Sequence, residues 1–442
     1  MATRTASAVS PARRVAAAVL RRVEREGAYA DRALAAEATR ANLDSRERAF
    51  ATQLAYGAVQ RRRTLDHVIV ACAGRPVEQL DQPVRDALRL GVLQLLFLDG
   101  VASHAAVDQS VELAKAAGGP AFKLVNAVLR RAGRDGPALL AALGDATPHE
   151  AAVLQSVPDW IAKLWWEALG PEDTRTLLAS VNEPAESALR INTLVADPVA
   201  VRAELAERGV ETDQAPVVLG VGEIPEGIVV KGAFDPSTDP LWNAGALVAQ
   251  SRAAMSAARL LAPQPGMRVL DLCAAPGGKA THLAALVGAG GEVVAVERNP
   301  RRAAELRRTC DRLRAKHVRI ETGDAADPRA DAPFDAVLVD PPCSGLGTLQ
   351  GRPDLRWRAR PDGIGELADL QLRFLASGAA ALAPGGALVY ATCTISPQEN
   401  EQVVQRFLSD HPDYALDGRM LELLPHRDHT DGFFLARLRR TA

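Results

Sequence analysis

Apolar residues recur at helical spacing through the first third of the chain: Val15, Val19 and Val23, then Phe50, Leu54 and Val59, then Leu88, Val92, Leu95 and Leu96. Gly57, Gly74-Arg75-Pro76, Gly100 and Gly118-Gly119-Pro120 punctuate these runs, so residues 11–133 predict a helical bundle. The Gly- and Pro-bearing stretch from Gly133 to Pro148 predicts a linker. Pro158-Asp159-Trp160 then opens a helix whose further rings, Trp165 and Trp166, suit core or domain contacts. A strand at Leu189 to Leu194, a helix near Pro198 to Arg208 and weak alternation to Val230 describe a small α/β module, which a turn-rich joint at Asp235 to Asp239 ends. Beyond it the period alternates: strands at 268–272, 292–297, 318–321, 336–340 and 386–391 are separated by helices, and an apolar strand at Phe433 to Leu438 follows. Such alternation implies a parallel sheet with right-handed crossovers. The expected division is 1–140, 141–240 and 241–442: multidomain, α plus α/β.

The first strand of the last part ends in a carboxylate and a loop of small residues, Val269-Leu270-Asp271-Leu272-Cys273-Ala274-Ala275-Pro276-Gly277-Gly278-Lys279. Small side chains let a ligand approach the backbone, and a helix starting near Lys279 aims free N–H groups at it. The loop matches neither the dinucleotide fingerprint G-x-G-x-x-G nor the phosphate loop G-x-x-x-x-G-K-[ST], which argues against NAD and ATP. Glu297 ends the next strand, where a carboxylate accepts from a ribose diol. A nucleoside ligand is expected.

At 442 residues, 48% apolar and 24% charged, the chain is long enough for two or three globular domains, and its composition is not that of a disordered protein. No apolar run nears the roughly 20 residues that span a bilayer, and Arg21-Arg22 interrupts the N-terminal apolar run too early for a signal peptide. A cytoplasmic protein without membrane contact is expected. Five widely spaced cysteines, Cys72, Cys273, Cys310, Cys343 and Cys393, form no C-x-x-C pair, so reduced thiols are expected and neither a disulfide framework nor a metal site. The net charge of −2 conceals an asymmetry: residues 1–140 hold 21 Lys and Arg against 14 Asp and Glu, leaving 31 against 40 of the totals of 52 and 54 for the remainder. An anionic partner for the basic part and a merely solvated Arg-rich surface both fit that balance.

Leu272 to Lys279, Leu-Cys-Ala-Ala-Pro-Gly-Gly-Lys, resembles the S-adenosylmethionine loop of RNA (cytosine-5)-methyltransferases of the Nop2/Sun type. Leu43-Asp44-Ser45-Arg46-Glu47-Arg48-Ala49-Phe50, Tyr56-Gly57, Leu90-Gly91-Val92-Leu93-Gln94-Leu95-Leu96 and Val125-Asn126-Ala127-Val128-Leu129-Arg130-Arg131 resemble the NusB-type RNA-binding fold, which one bacterial subfamily fuses to the methyltransferase. The resemblance implies a NusB-like bundle, a small RNA-binding subdomain beginning at Arg190-Ile191-Asn192-Thr193, and a Rossmann-like class I methyltransferase closed by an antiparallel strand. It implies S-adenosylmethionine as cofactor, held by Cys273, Ala274, Ala275, Pro276, Gly277, Gly278 and Lys279, with Glu297 at the ribose, Asp324 near the adenine and Asp340 near the methionine end.

Cys343 in Asp340-Pro341-Pro342-Cys343 and Cys393 in Thr392-Cys393-Thr394 both follow strands, where open α/β sheets bind ligands. A thiolate belongs there because carbon 5 of cytosine is a poor nucleophile until a group adds at carbon 6. DNA enzymes of this chemistry use the cysteine after proline. The RNA family resembled here uses the Thr-Cys one, which assigns Cys393 as nucleophile, Cys343 to product release and Asp340 as base and transition-state stabiliser at the edge of the cytosine. Arg61, Arg62, Arg130, Arg190, Arg352 and Arg356 are candidate RNA contacts, the last two within a basic loop that also holds Arg358 and Arg360. Gln371 and Ser396 to Glu401 match family wording without a role, whereas Ala249-Gln250-Ser251-Arg252-Ala253-Ala254-Met255 lacks the family's acidic pair. The expected substrate is small-subunit ribosomal RNA, naked or partly assembled, acted on by a monomer. Transfer RNA or another ribosomal cytosine is the alternative in the same class, and a non-catalytic RNA-binding assembly or antitermination factor the alternative in another.

Overall fold

Helical periodicity in the N-terminal third produces the helices Pro11–Glu26, Ala30–Arg40, Ser45–Gln60, Arg62–Ala73, Gln82–Leu96, Ser103–Ala116 and Phe122–Ala141 in a computed structural model that describes residues 9–118, 120–232 and 234–441. Gly119 of the expected Gly-Gly-Pro turn lies outside the described residues. Val15, Val19, Leu54, Leu65, Leu88, Leu93 and Leu129 form the buried core. Sequence signals set the ends: Asp44 accepts from the Glu47 N–H, and Gly27 and Gly74 end their helices in the left-handed region.

Two punctuation marks were misread. Gly57 lies inside the helix Ser45–Gln60, and Phe122–Ala141 runs through Gly133 and Pro137, where a linker was expected. At Gly57 the reason is close approach rather than turning, since a Cβ there would stand 3.1 Å from Leu93 Cδ2, and at Gly136, in the expected linker, a Cβ would stand 2.7 Å from Leu96 Cδ1.

The chain divides into two units, residues up to Glu183 together with Leu349–Ala359, and Pro184–Thr348 together with Arg360 onward. The helices Pro148–Leu154, Asp159–Leu169 and Pro171–Ser180 therefore pack with the helical unit. Arg63 Nη2 meets Asp159 Oδ1 at 2.7 Å, the Thr64 hydroxyl donates to Val153 O at 2.7 Å, and Trp165 is fully buried.

The Leu349–Ala359 segment overturns one expectation. Arg356 is fully buried and is not a phosphate contact; its guanidinium donates to Gln60 O, Ser156 O, Asn182 Oδ1, Val181 O and Leu349 O at 3.0–3.3 Å. Burial without a carboxylate pushes its pKa down to about 9. Trp357 Nε1 donates to Val59 O at 2.7 Å, and the Arg62 guanidinium covers the Trp357 ring. Replacing Arg356 by Ala strands these acceptors and should cost at least about 3 kcal/mol. Urea unfolding of the helical unit checks this, and an unchanged midpoint would dismiss the anchoring role.

In the second unit, β1 (Ala188–Ile191), β2 (Thr212–Gln214), β3 (Gly227–Val230) and β4 (Leu247–Ala249) form an antiparallel sheet in the order β2-β3-β1-β4. The larger sheet contains β5 (Arg268–Leu272), β6 (Glu292–Glu297), β7 (Val318–Thr322), β8 (Phe334–Val339), β9 (Leu382–Thr392), β10 (Tyr414–Leu416), β11 (Leu421–Leu423) and β12 (Phe433–Arg440). Its order is β10-β12-β9-β8-β5-β6-β7, with β11 on β12. β5 to β9 pair in parallel, whereas β12 runs antiparallel to β9. The order reverses between β5 and β8, which opens a crevice at their C-terminal ends. Burial of β5 and β8 on both faces explains why they are mainly apolar, broken only at Arg268, at the buried Asp271 and at the exposed Asp335.

Candidate active site

Three strand ends meet at that crevice. After β5 the chain turns at Cys273, whose φ of 68° is left-handed, and Gly277 at φ 110° starts the helix Gly278–Val287. A Cβ on Gly277 would lie 2.8 Å from Leu306 Cδ1, so this position needs glycine for both conformation and space. The loop is pinned from outside: Ala274 N–H donates to Val296 O at 2.9 Å, and Arg302 Nη2 donates to Ala275 O at 2.7 Å.

Asp271 is fully buried, and neither carboxylate oxygen has a hydrogen-bond partner. Burial, and then the charge of Asp340, hold its pKa well above the usual carboxylate range. Glu297, 4% exposed at the end of β6, accepts from the Asn299 N–H at 2.8 Å, and Arg302 lies 3.5 Å from its other oxygen. Asp324, just past β7, accepts from the Ala326 N–H at 3.0 Å. Pro276 and Gly278 complete the turn. An orphaned carboxylate, a nearly buried carboxylate and a helix N-terminus form a donor and acceptor set that fits a cationic nucleoside such as S-adenosylmethionine.

Across the reversal, Lys279 Nζ is 2.8 Å from Asp340 Oδ2 and 5.2 Å from the Phe433 ring centre. Burial alone would lower the ammonium's pKa, but Asp340 outweighs it and the net shift is upward. Beyond Asp340, Cys343 Sγ lies 3.4 Å from Cys393 Sγ, both half-buried. The hydrogen bond with Cys393, and then burial, push the Cys343 thiol far above its ordinary pKa. Cys343 therefore keeps its proton, and either sulfur can donate across the 3.4 Å contact. The Gly347 N–H donates to Cys393 O at 3.1 Å, and Gly347 packs so closely on Gly432 that no side chain fits.

The crevice thus unites Cys273, Lys279, Asp340, Cys343 and Cys393, with Glu297 and Asp324 at the neighbouring strand ends. Arg190 does not join them as an RNA contact. It is fully buried and clamps the cofactor-loop helix, donating to Gln250 Oε1 at 2.8 Å, Thr281 Oγ1 at 2.9 Å and Gly278 O at 3.3 Å. Where the family's acidic pair is missing, Arg252 instead pairs with Glu186 and donates to Asp428 O and His429 O. Arg61 lies over the Phe97 ring and Arg62 over Trp357, while Arg130 and Arg352 are exposed. The structure adds Ser344, Gln371, Glu399 and Asn400 around the thiols. Their only signal in the sequence is wording shared with the family.

Residues 258–439 match the model of the family "16S rRNA methyltransferase RsmB/F", residues 10–134 the NusB family, and residues 157–235 the ferredoxin-like domain of RsmF/B-like methyltransferases. A probable ribosomal RNA small subunit methyltransferase B of Synechocystis is 37% identical over 97% of this chain and 99% of its own. The ribosomal RNA small subunit methyltransferase B of Thermus thermophilus is 37% identical over 97% of both chains. The crystal structure of PH0851 superposes with a TM-score of 0.80 at 28% identity, covering 98% of this chain and 100% of that one. The chain belongs to the RsmB/F family of 16S rRNA methyltransferases. It is an RNA methyltransferase of small-subunit ribosomal RNA that draws its methyl group from S-adenosylmethionine.

The clamp behind the cofactor loop carries a titratable pair. His282 is buried with Nε2 2.5 Å from Glu226 Oε1, and Arg259 Nε donates to the same carboxylate at 2.9 Å. Burial would raise the Glu226 pKa, but the His282 and Arg259 hydrogen bonds reverse the sign and hold it low. Burial holds the His282 imidazole down to about 4 against an ordinary 6.5. Between those values the unfolded chain binds a proton that the folded one does not, so stability falls as pH drops through that window, by about 2 kcal/mol at pH 5. Thermal melts between pH 7 and 5 should show a steeper loss for the parent enzyme than for His282→Gln; equal slopes would reject the assignment.

Proposed function

We propose that the enzyme methylates carbon 5 of a cytosine in small-subunit ribosomal RNA through a covalent adduct between Cys393 and carbon 6. The observation that carries this reading is the 3.4 Å thiol pair beside the Lys279–Asp340 ion pair at the mouth of a nucleoside loop. A soft nucleophile needs its charge stabilised before attack, and a neighbouring S–H supplies that without neutralising it.

Cys393 adds to carbon 6, breaking the ring's aromaticity and placing electron density on carbon 5. Asp340 hydrogen-bonds the base edge and offsets charge that develops during the addition. Bound S-adenosylmethionine supplies the methyl that carbon 5 takes up. Asp340, as base, takes the carbon 5 hydrogen as a proton; the C–H electron pair re-forms the 5,6 double bond, the Cys393–carbon 6 bond breaks with sulfur leaving as thiolate, and Cys343 assists that release. Glu297 takes the ribose hydroxyls, Asp324 lies near the adenine, and the turn from Cys273 to Lys279 holds the remainder. We assign phosphate contacts to the exposed Arg130 and Arg352, and to Arg61 and Arg62, which lie over the Phe97 and Trp357 rings. A target cytosine has to leave its stack to reach a half-buried thiol. A thiolate nucleophile calls for a reducing compartment, which accords with a cytoplasmic monomer.

Labelled methyl transfer to unmodified 16S rRNA, mapped by bisulfite sequencing with transfer RNA in parallel, tests target and reaction together. A single 5-methylcytosine in the ribosomal RNA is expected; label at another atom would sink the reaction, and label only in transfer RNA the target. Cys343→Ala should accumulate an RNA adduct on a denaturing gel. Cys393→Ala should lose at least about 1,000-fold in turnover, with S-adenosylmethionine affinity by calorimetry nearly unchanged. Retained turnover in Cys393→Ala would move the nucleophile elsewhere.

A further inference from the structure

Behind the two thiols a buried dipeptide serves both of their loops at once. Glu399 and Asn400 are fully buried at the start of the helix Glu401–Asp410. One Glu399 oxygen accepts from the Ser344 backbone N–H at 2.8 Å and from Gln371 Nε2 at 3.1 Å; the other accepts from the Ser344 hydroxyl at 2.5 Å. Gln371 Nε2 also donates to Pro342 O at 3.0 Å. The two residues flanking Cys343 therefore end on Glu399 and its partner.

Asn400 turns to the other loop. Its Nδ2 donates to Thr394 O at 3.0 Å, and its Oδ1 accepts from the Thr392 hydroxyl at 2.6 Å. The two residues flanking Cys393 therefore end on Asn400. Tyr390 Oη donates to Glu399 O at 2.6 Å, and the Ser344 and Thr394 hydroxyls close the frame at 2.6 Å.

Among the described residues no Lys or Arg forms an ion pair with Glu399, and a carboxylate buried without a cation is a costly way to fill space. What its three donors obtain is a fixed position for Ser344, one residue from Cys343. Because Glu399 and Asn400 are adjacent, the distance between the loops is set through a single peptide unit.

We propose that Glu399 and Asn400 are positioning residues that hold the Cys343 and Cys393 thiols in mutual reach. This deepens the proposed Cys393 reaction and rests on it for its effect on turnover. Splaying the loops removes the Cys343 S–H from Cys393, and a displacement near 1 Å at reacting groups costs about 100-fold in rate.

The test compares the parent enzyme with Glu399→Ala, Glu399→Gln, Asn400→Ala and Ser344→Ala. Two readouts are taken: kcat and KM for methyl transfer to small-subunit ribosomal RNA, and the pH dependence of Cys393 alkylation by iodoacetamide in the free enzyme, followed by peptide mass spectrometry. Glu399→Ala and Asn400→Ala are expected to lower kcat about 100-fold while KM for S-adenosylmethionine stays within about twofold, and to move the alkylation midpoint to higher pH. Glu399→Gln keeps an acceptor for the Ser344 N–H and should recover most of both. Ser344→Ala keeps the backbone bond, should fold if Glu399→Ala does not, and should lose about tenfold. Parent-like kcat and midpoint in Glu399→Ala or Ser344→Ala would overturn the proposal, as would equal losses in Glu399→Gln and Glu399→Ala. Alkylation requires no methyl transfer, so it reads the thiol spacing even where the parent enzyme makes no 5-methylcytosine, an outcome that removes the proposed reaction alone.

Discussion

The Lys279–Asp340 ion pair spans the one place in the large sheet where strand order reverses, and the site is built on either side of it. Lys279 starts the helix after the cofactor loop, and Asp340 starts the loop that carries Cys343. Both groups are largely withdrawn from water, where an unpaired charge is far more costly than a paired one. Each therefore holds the other, and with it the two loops, in place. The same pairing leaves Asp271 as the carboxylate without a cation: buried behind Asp340, it is pushed toward its neutral form by burial and by its neighbour's charge. One ammonium among two carboxylates thus fixes which of them is ionic at the mouth of the crevice.

The small sheet contributes to this arrangement from behind. Arg190 reaches from β1 to the first turn of the cofactor-loop helix, and Glu226, just before β3, reaches His282 one turn further along. The small sheet and the residue before its β3 strand thereby grip the helix whose N-terminus faces the crevice, which makes that sheet part of the crevice's support.

Some of this was legible before any coordinates. β5 and β6 span the residues expected of them, 268–272 and 292–297, because central parallel strands buried on both faces carry mostly apolar residues. The joined positions of Lys279, Asp340, Cys343 and Cys393 follow from motif wording and from the rule that ligands gather at strand C-termini. What failed has a common cause. Gly57, Gly133 and Pro137 look like breaks, yet they sit in helices that neighbours approach too closely for larger residues or that packing holds together. Arg190 and Arg356 look like surface cations, because nothing local announces that carbonyls and amides far along the chain will replace their water. β2 is polar and three residues long, and β4 lies within what read as the catalytic half, so the small sheet was visible only in outline.

Two thiols rather than one make sense when the proposed reaction is followed in both directions. The group that stabilises a thiolate before it adds to carbon 6 also stabilises it as a leaving group when the bond breaks, since the two events pass through related charge distributions. In the proposed reaction a proton kept on Cys343, within 3.4 Å of Cys393, would serve both. A cationic neighbour alone would favour attack and release less evenly: Lys279 is committed to Asp340, and a bare ammonium against the sulfur would lower its nucleophilicity along with its pKa. A neutral thiol at 3.4 Å lends less stabilisation and costs less reactivity, which would suit the nucleophile of the proposed reaction, since it has both to bond and to depart within one turnover.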